Sequence, residues 1–428
     1  MKNALMVTLG CKTNQYEGEM LLQGLRGWGI RPVEDGGSPD LVVVNTCTVT
    51  VRADRKCRQL IRKIARRHPG VPIYVTGCYV CRESGELASL DGVAGVAADK
   101  RELLDMIRRD EHLTCAPADL EAPPTSRRRS RAFLKIQDGC DSFCSYCIVP
   151  HVRPTLFSEP LERVLSEADR LVRAGFREIV LTGIHLARYG VDRSDGVGLI
   201  EVIRRLTETQ GLLRLRLSSI EMPELADELI ELIVESPVLC PHLHLPLQSG
   251  DDRVLAAMNR RYTAADFLDT VSRIRRSIPE ISITTDVIAG FPGETDQAFE
   301  NTLGLAREVG FSKMHVFPFS LRPGTPAAEL PHCLPARIIT GRKKRLLRLA
   351  DELALAYKRR FLGKTVQVLV EETEAAQDGG FLSSGLTEHY LRVRFSTGTD
   401  LLNQLVGVRI ESVTPHVMEG QLPEAGPS

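Results

Sequence analysis

The chain has 428 residues, of which 43% are hydrophobic and 26% are charged, and its formal net charge is zero. A chain of this length usually folds into two or three domains, each with its own hydrophobic core. No apolar run approaches the roughly 20 residues that span a bilayer, and the N-terminal segment lacks the features of a signal peptide. We therefore expect no membrane role and place the protein in the cytoplasm.

The chain contains eleven cysteines. In a reducing compartment so many cysteines rarely form a disulfide framework, and an odd number cannot all pair within one chain. Metal binding is therefore the leading explanation for some of them.

The first part of the chain alternates short apolar runs with stretches of helical periodicity. The apolar runs are residues 4–9, 41–46, 73–77 and 93–97, and the helical stretches lie near 17–28, 52–67, 82–90 and 100–110. This alternation predicts an α/β domain with a doubly wound parallel sheet over residues 1–115. Proline, serine and arginine then interrupt every pattern, which predicts an exposed linker over residues 116–131.

Six further strand–helix units follow the linker. Their strands are predicted at residues 133–137, 178–182, 212–218, 242–247, 282–289 and 313–319. Six consecutive units predict a partial (β/α)6 barrel over residues 132–356, with its active site at the C-terminal strand ends, although a doubly wound sheet has the same pattern. We expect Ser158 to cap one helix, Pro160 to lie in its first turn and Gly175 to end it.

After a basic helical segment at residues 337–360, the sequence alternates with the period of β-strands. This predicts a small β-barrel domain over residues 357–421. We expect the tail, residues 422–428, to be disordered.

Cys140, Cys144 and Cys147 have the spacing CxxxCxxC in a loop that follows the first barrel strand. Three thiolates in one loop can bind three irons of a 4Fe-4S cluster, which leaves the fourth iron open for chemistry. A zinc site or three bystander cysteines is the alternative. The position at a strand end of the barrel favours the cluster.

This loop resembles that of the radical S-adenosylmethionine (SAM) superfamily, in which an aromatic residue stands beside the last cysteine, as Tyr146 does here. The resemblance implies that SAM binds the open iron and is cleaved to a 5′-deoxyadenosyl radical. It also implies SAM contacts at other strand ends, where plain strand-to-loop turns are equal alternatives. With Tyr146, the candidate SAM-binding residues are Thr182, Gly183, Ser219, Glu221 and Asp286.

Cys11, Cys47 and Cys78 each follow the C-terminal end of a predicted strand in the first domain. Such ends share one edge of a parallel sheet, so the three loops can converge and form a second cluster site. Any one buried cysteine can also be inert. Cys81 makes a CxxC with Cys78, and we interpret Cys78 as the ligand and Cys81 as a spectator.

The segments that contain Cys11, Cys47 and Cys78 resemble the N-terminal domain of the methylthiotransferase family, which holds an auxiliary 4Fe-4S cluster. The similarity extends through Leu245-Pro246-Leu247-Gln248-Ser249-Gly250, Gly290-Phe291-Pro292-Gly293-Glu294-Thr295 and Arg322-Pro323-Gly324-Thr325 into a domain that looks like the RNA-binding TRAM module. The resemblance implies two 4Fe-4S clusters and SAM as cofactors, and an electron donor such as flavodoxin or ferredoxin.

Within the family, Gly10-Cys11-Lys12-Thr13-Asn14-Gln15 is most similar to the MtaB type. That type methylthiolates N6-threonylcarbamoyladenosine at C2, beside the tRNA anticodon. The alternatives are isopentenyladenosine in tRNA, a ribosomal-protein side chain, or, in another class, a non-catalytic nucleic-acid-binding protein held together by zinc.

Two positions after the cysteine loop depart from the family. Relatives tend to have Arg-Gly and then Ser-Arg, where this chain has Arg153-Pro154 and Ser158-Glu159. Proline removes a donor and glutamate reverses a charge, so a role carried by these positions in relatives is in doubt. The histidines predicted near the barrel mouth, among them His185, are interpreted as core or rim residues.

Basic residues cluster in three segments: the helix at residues 52–67, the linker at 127–131 and the segment at 342–360. Such clusters can replace counterions along an RNA backbone, although most charge runs are only solvated faces. Together they favour the tRNA anticodon stem-loop as partner, with the target base splayed out into the barrel mouth.

Overall fold

The computed structural model describes residues 2–113, 130–376 and 379–423. Within these ranges, no helix is both long and apolar enough to cross a membrane. Most of the predicted linker, residues 116–131, and most of the predicted disordered tail, residues 422–428, lie outside the described residues.

The N-terminal part of the chain forms a five-stranded parallel sheet with helices on its faces. Its elements are β1 (Asn3–Thr8), α1 (Lys12–Gly27), β2 (Arg31–Val33), β3 (Leu41–Thr46), α2 (Val51–Arg67), β4 (Ile73–Gly77), α3 (Val80–Ala88), β5 (Val93–Val96) and α4 (Lys100–Asp110). The order β2-β1-β3-β4-β5 places β3 at the centre, where all six of its residues are buried. Its first four residues are a continuous apolar run, as a strand covered on both faces requires, which confirms the parallel α/β prediction.

The central part forms six parallel strands that curve into a partial barrel. These strands are β6 (Arg131–Asp138), β8 (Glu178–Gly183), β9 (Arg214–Leu217), β10 (His242–His244), β11 (Ser282–Ala289) and β12 (Lys313–Pro318), and a short additional strand, β7 (Phe157–Ser158), lies antiparallel beside β6. Its helices are α5 (Val149–Val152), α6 (Leu161–Arg173), α7 (Leu199–Thr207), α8 (Asp227–Glu235), α9 (Asp252–Ala257), α10 (Ala264–Ser277), α11 (Asp296–Val309) and α12 (Ala336–Arg359). Bridges between residues 215 and 239 and between 219 and 244 connect β9 to the β10 segment, so one apolar core fills the space between the strands and the helices.

The predicted cap of α6 is wrong. Ser158 lies in β7, which pairs antiparallel with β6, and its hydroxyl donates to Asp192 Oδ1 at 2.5 Å. The helix begins at Leu161 after Pro160 without a side-chain cap. Gly175 follows the helix end with a φ of 97°. The serine hydroxyl therefore binds a loop 34 residues away and does not cap the helix.

The C-terminal part is a closed five-stranded barrel with the strand order β13-β14-β15-β17-β16. The strands are β13 (Thr365–Ala375), β14 (Phe381–Thr387), β15 (Arg392–Thr397), β16 (Leu405–Val413) and β17 (Met418–Gln421). Alternate residues of these strands, such as Val366 and Val368, point into one small core. The barrel is consistent with the TRAM-like domain expected from the sequence.

Buried arginines connect the three parts of the chain. Arg322, from the loop after β12, donates to Asp54 at 2.6 Å and to Thr48 at 2.8 Å in the N-terminal sheet domain. Arg216, on β9, donates to the backbone oxygens of Thr387 and Glu388 in the C-terminal barrel. Helix α1 packs along β6, so the N-terminal domain lies against the first strand of the partial barrel.

Candidate active site

The CxxxCxxC loop leaves the C-terminal end of β6, and each of its three sulfur atoms receives an N–H donor. The amide of Ser142 lies 3.5 Å from the sulfur of Cys140, and the amide of Val149 lies 3.4 Å from that of Cys147. The guanidinium of Arg260 lies 3.5 Å from the sulfur of Cys144. Donors directed at sulfur favour the thiolate, which is the form that binds iron.

The three thiols also act on one another. Burial, together with the neighbouring Cys144 and Cys140, raises the pKa of Cys147 to about 12. Three thiolates this close repel one another unless a cation lies between them. The loop therefore has the composition and the electrostatics of a site completed by an iron cluster.

Tyr146 anchors the loop by packing against a small apolar cluster beneath it, which includes Val254, Met258 and Phe291. Its ring is partly buried, and loss of contact with water raises the pKa of the hydroxyl well above the ordinary value. The side chain therefore holds the cysteine loop against α9 and the end of β11.

His185 is a part of this site that sequence reasoning interpreted as a core or rim residue. Its Nδ1 atom lies 3.8 Å from the sulfur of Cys140 and 3.1 Å from the hydroxyl of Ser142, and its Nε2 atom lies 3.1 Å from Glu224. Burial opposes protonation, but the contacts with Cys140 and Glu224 raise the pKa of His185 to about 9. The histidine gives the loop a second positive neighbour besides Arg260.

The structure brings some of the candidate SAM-binding residues toward the cysteine loop and leaves others within the sheet. Glu221 forms an ion pair with Arg260, the same arginine that contacts Cys144. Asp286 lies on β11, partly exposed, with an oxygen 3.4 Å from Nε2 of His244. Arg260 itself was missed, because nothing in the local sequence relates it to a loop 116 residues earlier.

The other candidates have different surroundings. Thr182 is buried within β8. A Cβ atom on Gly183 would lie 3.0 Å from the side chain of Gln137, so this glycine permits close pairing of β6 and β8. Ser219 is exposed at the bridge between β9 and the β10 segment.

Cys11, Cys47 and Cys78 follow β1, β3 and β4, which are neighbours in the N-terminal sheet. The sulfurs of Cys11 and Cys78 both lie 4.0 Å from Oδ1 of Asn14. Burial, together with the proximity of Cys11 and Cys78, raises the pKa of Cys47 to about 12. The three cysteines therefore share one site at the sheet edge.

Two glycines allow these loops to meet. Gly10 has a φ of 115°, and a Cβ atom there would lie 2.9 Å from Cβ of Cys47. Gly77 has a φ of 101°, and a Cβ atom there would lie 2.3 Å from the backbone oxygen of Thr46. Any larger residue would strain the backbone and push the cysteine loops apart.

The remaining cysteines lie outside the two sets. Cys81 is exposed in the first turn of α3, with its sulfur 3.9 Å from the oxygen of Gly77. Cys57 is fully buried, and its thiol donates to the backbone oxygen of Cys47 at 3.4 Å.

Arg153 connects the two cysteine sites. Its Nε atom lies 3.1 Å from the sulfur of Cys78, and its two Nη atoms donate to Asn14, Glu17 and Asp138 at distances of 2.7 to 3.1 Å. Asp138 ends β6, directly before the radical-type cysteine loop. Although burial opposes ionisation, Arg153 and two lysines hold the pKa of Glu17 well below its ordinary value. The arginine of the unusual Arg153-Pro154 pair therefore has a defined structural role.

The basic segments differ in how much charge they expose. Helix α2 buries Asp54, Cys57, Ile61 and Ile64 and exposes arginines and lysines on its opposite face. On α12, by contrast, two of the predicted surface cations are buried: Arg342 bonds to Glu294 and Asp296, and Lys358 bonds to the oxygen of Pro415.

The linker cluster gives a similar correction. Arg131 belongs to β6 and is ion-paired with Glu371. Residues 127–129 lie outside the described part of the chain. Helix α2 therefore has the clearest exposed basic face of the three segments.

The chain matches known families in two regions. Residues 134–306 match the radical SAM superfamily, and residues 3–98 match uncharacterized protein family UPF0004. Among solved structures, the radical S-adenosylmethionine methyltransferase TsrM from Kitasatospora setae, with tryptophan substrate and a SAM analog bound, superposes with a TM-score of 0.57. It is 17% identical in sequence, and the superposition covers 76% of this chain and 75% of that one, so it supports the fold alone.

Curated relatives match almost the whole chain. Threonylcarbamoyladenosine tRNA methylthiotransferase MtaB of Bacillus subtilis (strain 168) is 36% identical, over 97% of this chain and 95% of the relative. The protein of the same name from Chlamydia pneumoniae is 37% identical over 97% of each chain. A tRNA-2-methylthio-N(6)-dimethylallyladenosine synthase of Cereibacter sphaeroides is also 37% identical over 97% of each.

Proposed function

Because the chain belongs to the radical SAM methylthiotransferase family, and is thus a tRNA-modifying enzyme that uses SAM and 4Fe-4S chemistry, we propose that it methylthiolates C2 of N6-threonylcarbamoyladenosine beside the anticodon. The observation that carries the proposal is the pair of three-cysteine sites joined through Arg153. One site alone would support radical formation without a place for the transferred sulfur.

The two cysteine sets have separate roles in this proposal. Cys140, Cys144 and Cys147 bind the radical cluster, and Cys11, Cys47 and Cys78 bind the auxiliary cluster. When bound, these clusters supply the electron that cleaves SAM and the sulfur that is methylated and inserted. The chain itself fixes the separation of the two sites, because Arg153 is bonded both to Cys78 and to the end of β6.

The SAM site lies beside the radical loop. The proposed contacts are Tyr146, Thr182, Gly183, Ser219, Glu221 and Asp286. Glu221 and Asp286 have carboxylates suited to the amino group and ribose hydroxyls of SAM. Arg260, next to both Glu221 and Cys144, is a further candidate to position SAM over the open iron.

The proposed macromolecular partner is the anticodon stem-loop of tRNA. The exposed basic face of α2 would contact the phosphate backbone, and the C-terminal barrel would provide a second RNA contact. An electron donor such as flavodoxin or ferredoxin would reduce the radical cluster. The compartment that fits these partners is the cytoplasm.

The substrate assignment needs support beyond identity, since relatives named for threonylcarbamoyladenosine and for dimethylallyladenosine are equally similar. Two features favour the threonylcarbamoyl group: the segment Gly10-Cys11-Lys12-Thr13-Asn14-Gln15, and the charged residues that line the barrel. An isopentenyl group offers only hydrocarbon to such polar side chains, which would remain unpaired at a cost of about 1–3 kcal/mol each. Activity on a ribosomal protein instead of tRNA would contradict the proposal.

The test is an anaerobic assay with one tRNA in three forms, which carry N6-threonylcarbamoyladenosine, isopentenyladenosine or adenosine. Mass spectrometry of the nucleosides measures the methylthio product, which we expect only from the first form. Preference for isopentenyladenosine would refute the substrate assignment and leave the two-cluster mechanism intact.

Site variants separate the proposed clusters. We expect about eight irons per chain after anaerobic reconstitution, from two four-iron clusters. Cys144→Ala should abolish 5′-deoxyadenosine formation, whereas Cys333→Ala, at an exposed cysteine, serves as the matched control. Undiminished SAM cleavage by Cys144→Ala would contradict the assignment of the radical loop.

A further inference from the structure

A cluster of cations surrounds one tyrosine ring where the C-terminal barrel meets the N-terminal ends of β6 and β10. Tyr390, in the turn between β14 and β15, reaches from the C-terminal barrel with a φ of 64°. The guanidinium carbons of Arg216 and Arg131 lie 4.9 and 5.6 Å from the ring centroid, and Nζ of Lys12 lies 6.0 Å from it. The imidazole of His242 packs on the ring, with the centroids 4.9 Å apart. All three parts of the chain therefore contribute to this cluster.

The cations of this cluster differ in whether a carboxylate of the protein pairs with them. Arg216 is paired with Glu178 at 2.7 Å, and Arg131 is paired with Glu371. Lys12 forms no hydrogen bond or ion pair with a carboxylate of the described residues, and its closest partner is the tyrosine ring. The cluster thus has one cation for which the protein supplies no anion.

A second polar group in this cluster, besides the ammonium of Lys12, also lacks a partner. His242 is 3% exposed, and its Nδ1 atom has no hydrogen-bond partner within the described ranges. Its Nε2 atom lies 3.1 Å from the hydroxyl of Thr284, which is 2.9 Å from Nδ1 of His244. His244 in turn lies 3.4 Å from Asp286. Polar groups therefore continue from the cation cluster along the inside of the barrel to Asp286.

A partly buried ammonium and a buried imidazole nitrogen without partners are both expensive to maintain in a folded protein. A ligand that brings an anion and hydrogen-bonding groups would satisfy both. The threonylcarbamoyl group has a carboxylate and a hydroxyl. An adenine without this substituent has neither.

We propose that Lys12 determines substrate specificity by binding the carboxylate of the threonylcarbamoyl group, with His242 as a neighbouring hydrogen-bonding group. This inference rests on the proposed function. The position of Lys12 suits the role, because C6 of adenine, which carries N6, and C2 flank N1 on the same edge of the ring. A residue that recognises the N6 substituent must therefore lie close to the sulfur that C2 receives, and Lys12 directly follows Cys11.

The experiment compares an anticodon stem-loop that carries N6-threonylcarbamoyladenosine with the same stem-loop whose threonyl carboxylate is a methyl ester. Binding to the reconstituted enzyme is measured anaerobically by fluorescence anisotropy, and turnover is measured with SAM and reductant. We expect the wild type to bind the acid about 30-fold more tightly than the ester, as one charge-assisted bond allows.

Lys12→Gln should bind the ester as the wild type does and should lose most of the 30-fold preference, and Lys12→Arg should restore part of it. Lys313→Gln is the matched control, since Lys313 is an exposed lysine whose charge also acts on His315, as that of Lys12 does. Iron content and melting temperature are measured for each variant, so a folding defect would be recognised by weaker binding of both ligands.

The outcomes separate the two proposals. If the wild type distinguishes the acid from the ester and Lys12→Gln does so equally well, the inference about Lys12 is wrong and the proposed function stands. Equal wild-type binding of acid and ester, with turnover of threonylcarbamoyladenosine intact, also overturns the inference alone. If the wild type does not turn over the threonylcarbamoyl substrate at all, the proposed function is wrong, and the inference about Lys12, which rests on it, is wrong as well.

Discussion

Removal of Arg153 tests whether one side chain fixes the two cysteine sites relative to each other. In Arg153→Met, the stem of the side chain keeps similar packing, whereas the bonds to Asn14, Glu17, Cys78 and Asp138 are lost. These partners belong to two domains. The change should therefore weaken the contact between α1 and the start of the radical loop more than it weakens either domain.

The magnitude follows from what remains of the network. Loss of one partner of a buried ion pair costs about 3–5 kcal/mol. Glu17 keeps Lys135 at 2.9 Å and Lys100 at 3.2 Å, so the lower end of that range applies. Since 1.4 kcal/mol corresponds to a factor of ten, about 3 kcal/mol raises the population of the open interface about 100-fold.

Hydrogen exchange followed by mass spectrometry measures this population, because amides at the interface exchange through its opening. Peptides from α1 and from residues 150–156 should lose about two orders of magnitude of protection in Arg153→Met. Arg173→Met is the matched control, since Arg173 forms an exposed pair with Asp169 within one helix. A loss of protection below threefold in Arg153→Met would refute the reasoning.

Three further changes have defined outcomes. Burial lowers the pKa of Lys358 to about 8, whereas in the unfolded chain this lysine keeps its proton up to about pH 10.5. The stability of the wild type relative to Lys358→Met should therefore rise as the pH increases from 8 toward 10. A difference in melting temperature that does not depend on pH would contradict this. Gly77→Ala should reduce bound iron from about eight to about four per chain, and elemental analysis showing no loss would count against the converging loops. Replacement of Arg55, Arg62 and Lys63 on α2 by glutamine should reduce the log–log salt slope of tRNA binding by about two, whereas an unchanged slope in anisotropy titrations would place the RNA elsewhere.

The sequence predicted the central strands well because they are continuous buried runs, such as Leu41–Thr46 and Ile73–Gly77, and such runs are visible without knowledge of their neighbours. The cysteine sets could be inferred in the same way, from their positions just after strand ends. The start of α1 was predicted near residue 17 and lies at Lys12. Its first turn contains Thr13 and Asn14, whose buried side chains are polar and therefore give no apolar helical signal.

Other parts of the site depend on contacts that no local pattern encodes. Ser158 has a good capping side chain, but Asp192 provides a stronger charge-assisted partner, and tertiary structure overrides the local preference. Arg153 contacts Asn14 across 139 positions of sequence, and Arg260 contacts Cys144 across 116. His185 was interpreted as a core or rim residue because it comes close to Cys140 only when β8 pairs with β6.

Helix α1 is the element through which these separate features act together. Cys11 lies at its N-cap, Lys12 opens its first turn, and Asn14 and Glu17, three residues apart, share the face that meets Arg153. Three residues of a helix are held within a few tenths of an ångström of one another by the backbone, whereas three residues of a loop are not. A displacement of α1 would therefore move an auxiliary cysteine, the proposed carboxylate-binding lysine and the bridge to the radical loop by the same amount. Because α1 holds all three groups, a variant that weakens the bonds of Arg153 should change both the position of the sulfur and the recognition of the N6 substituent.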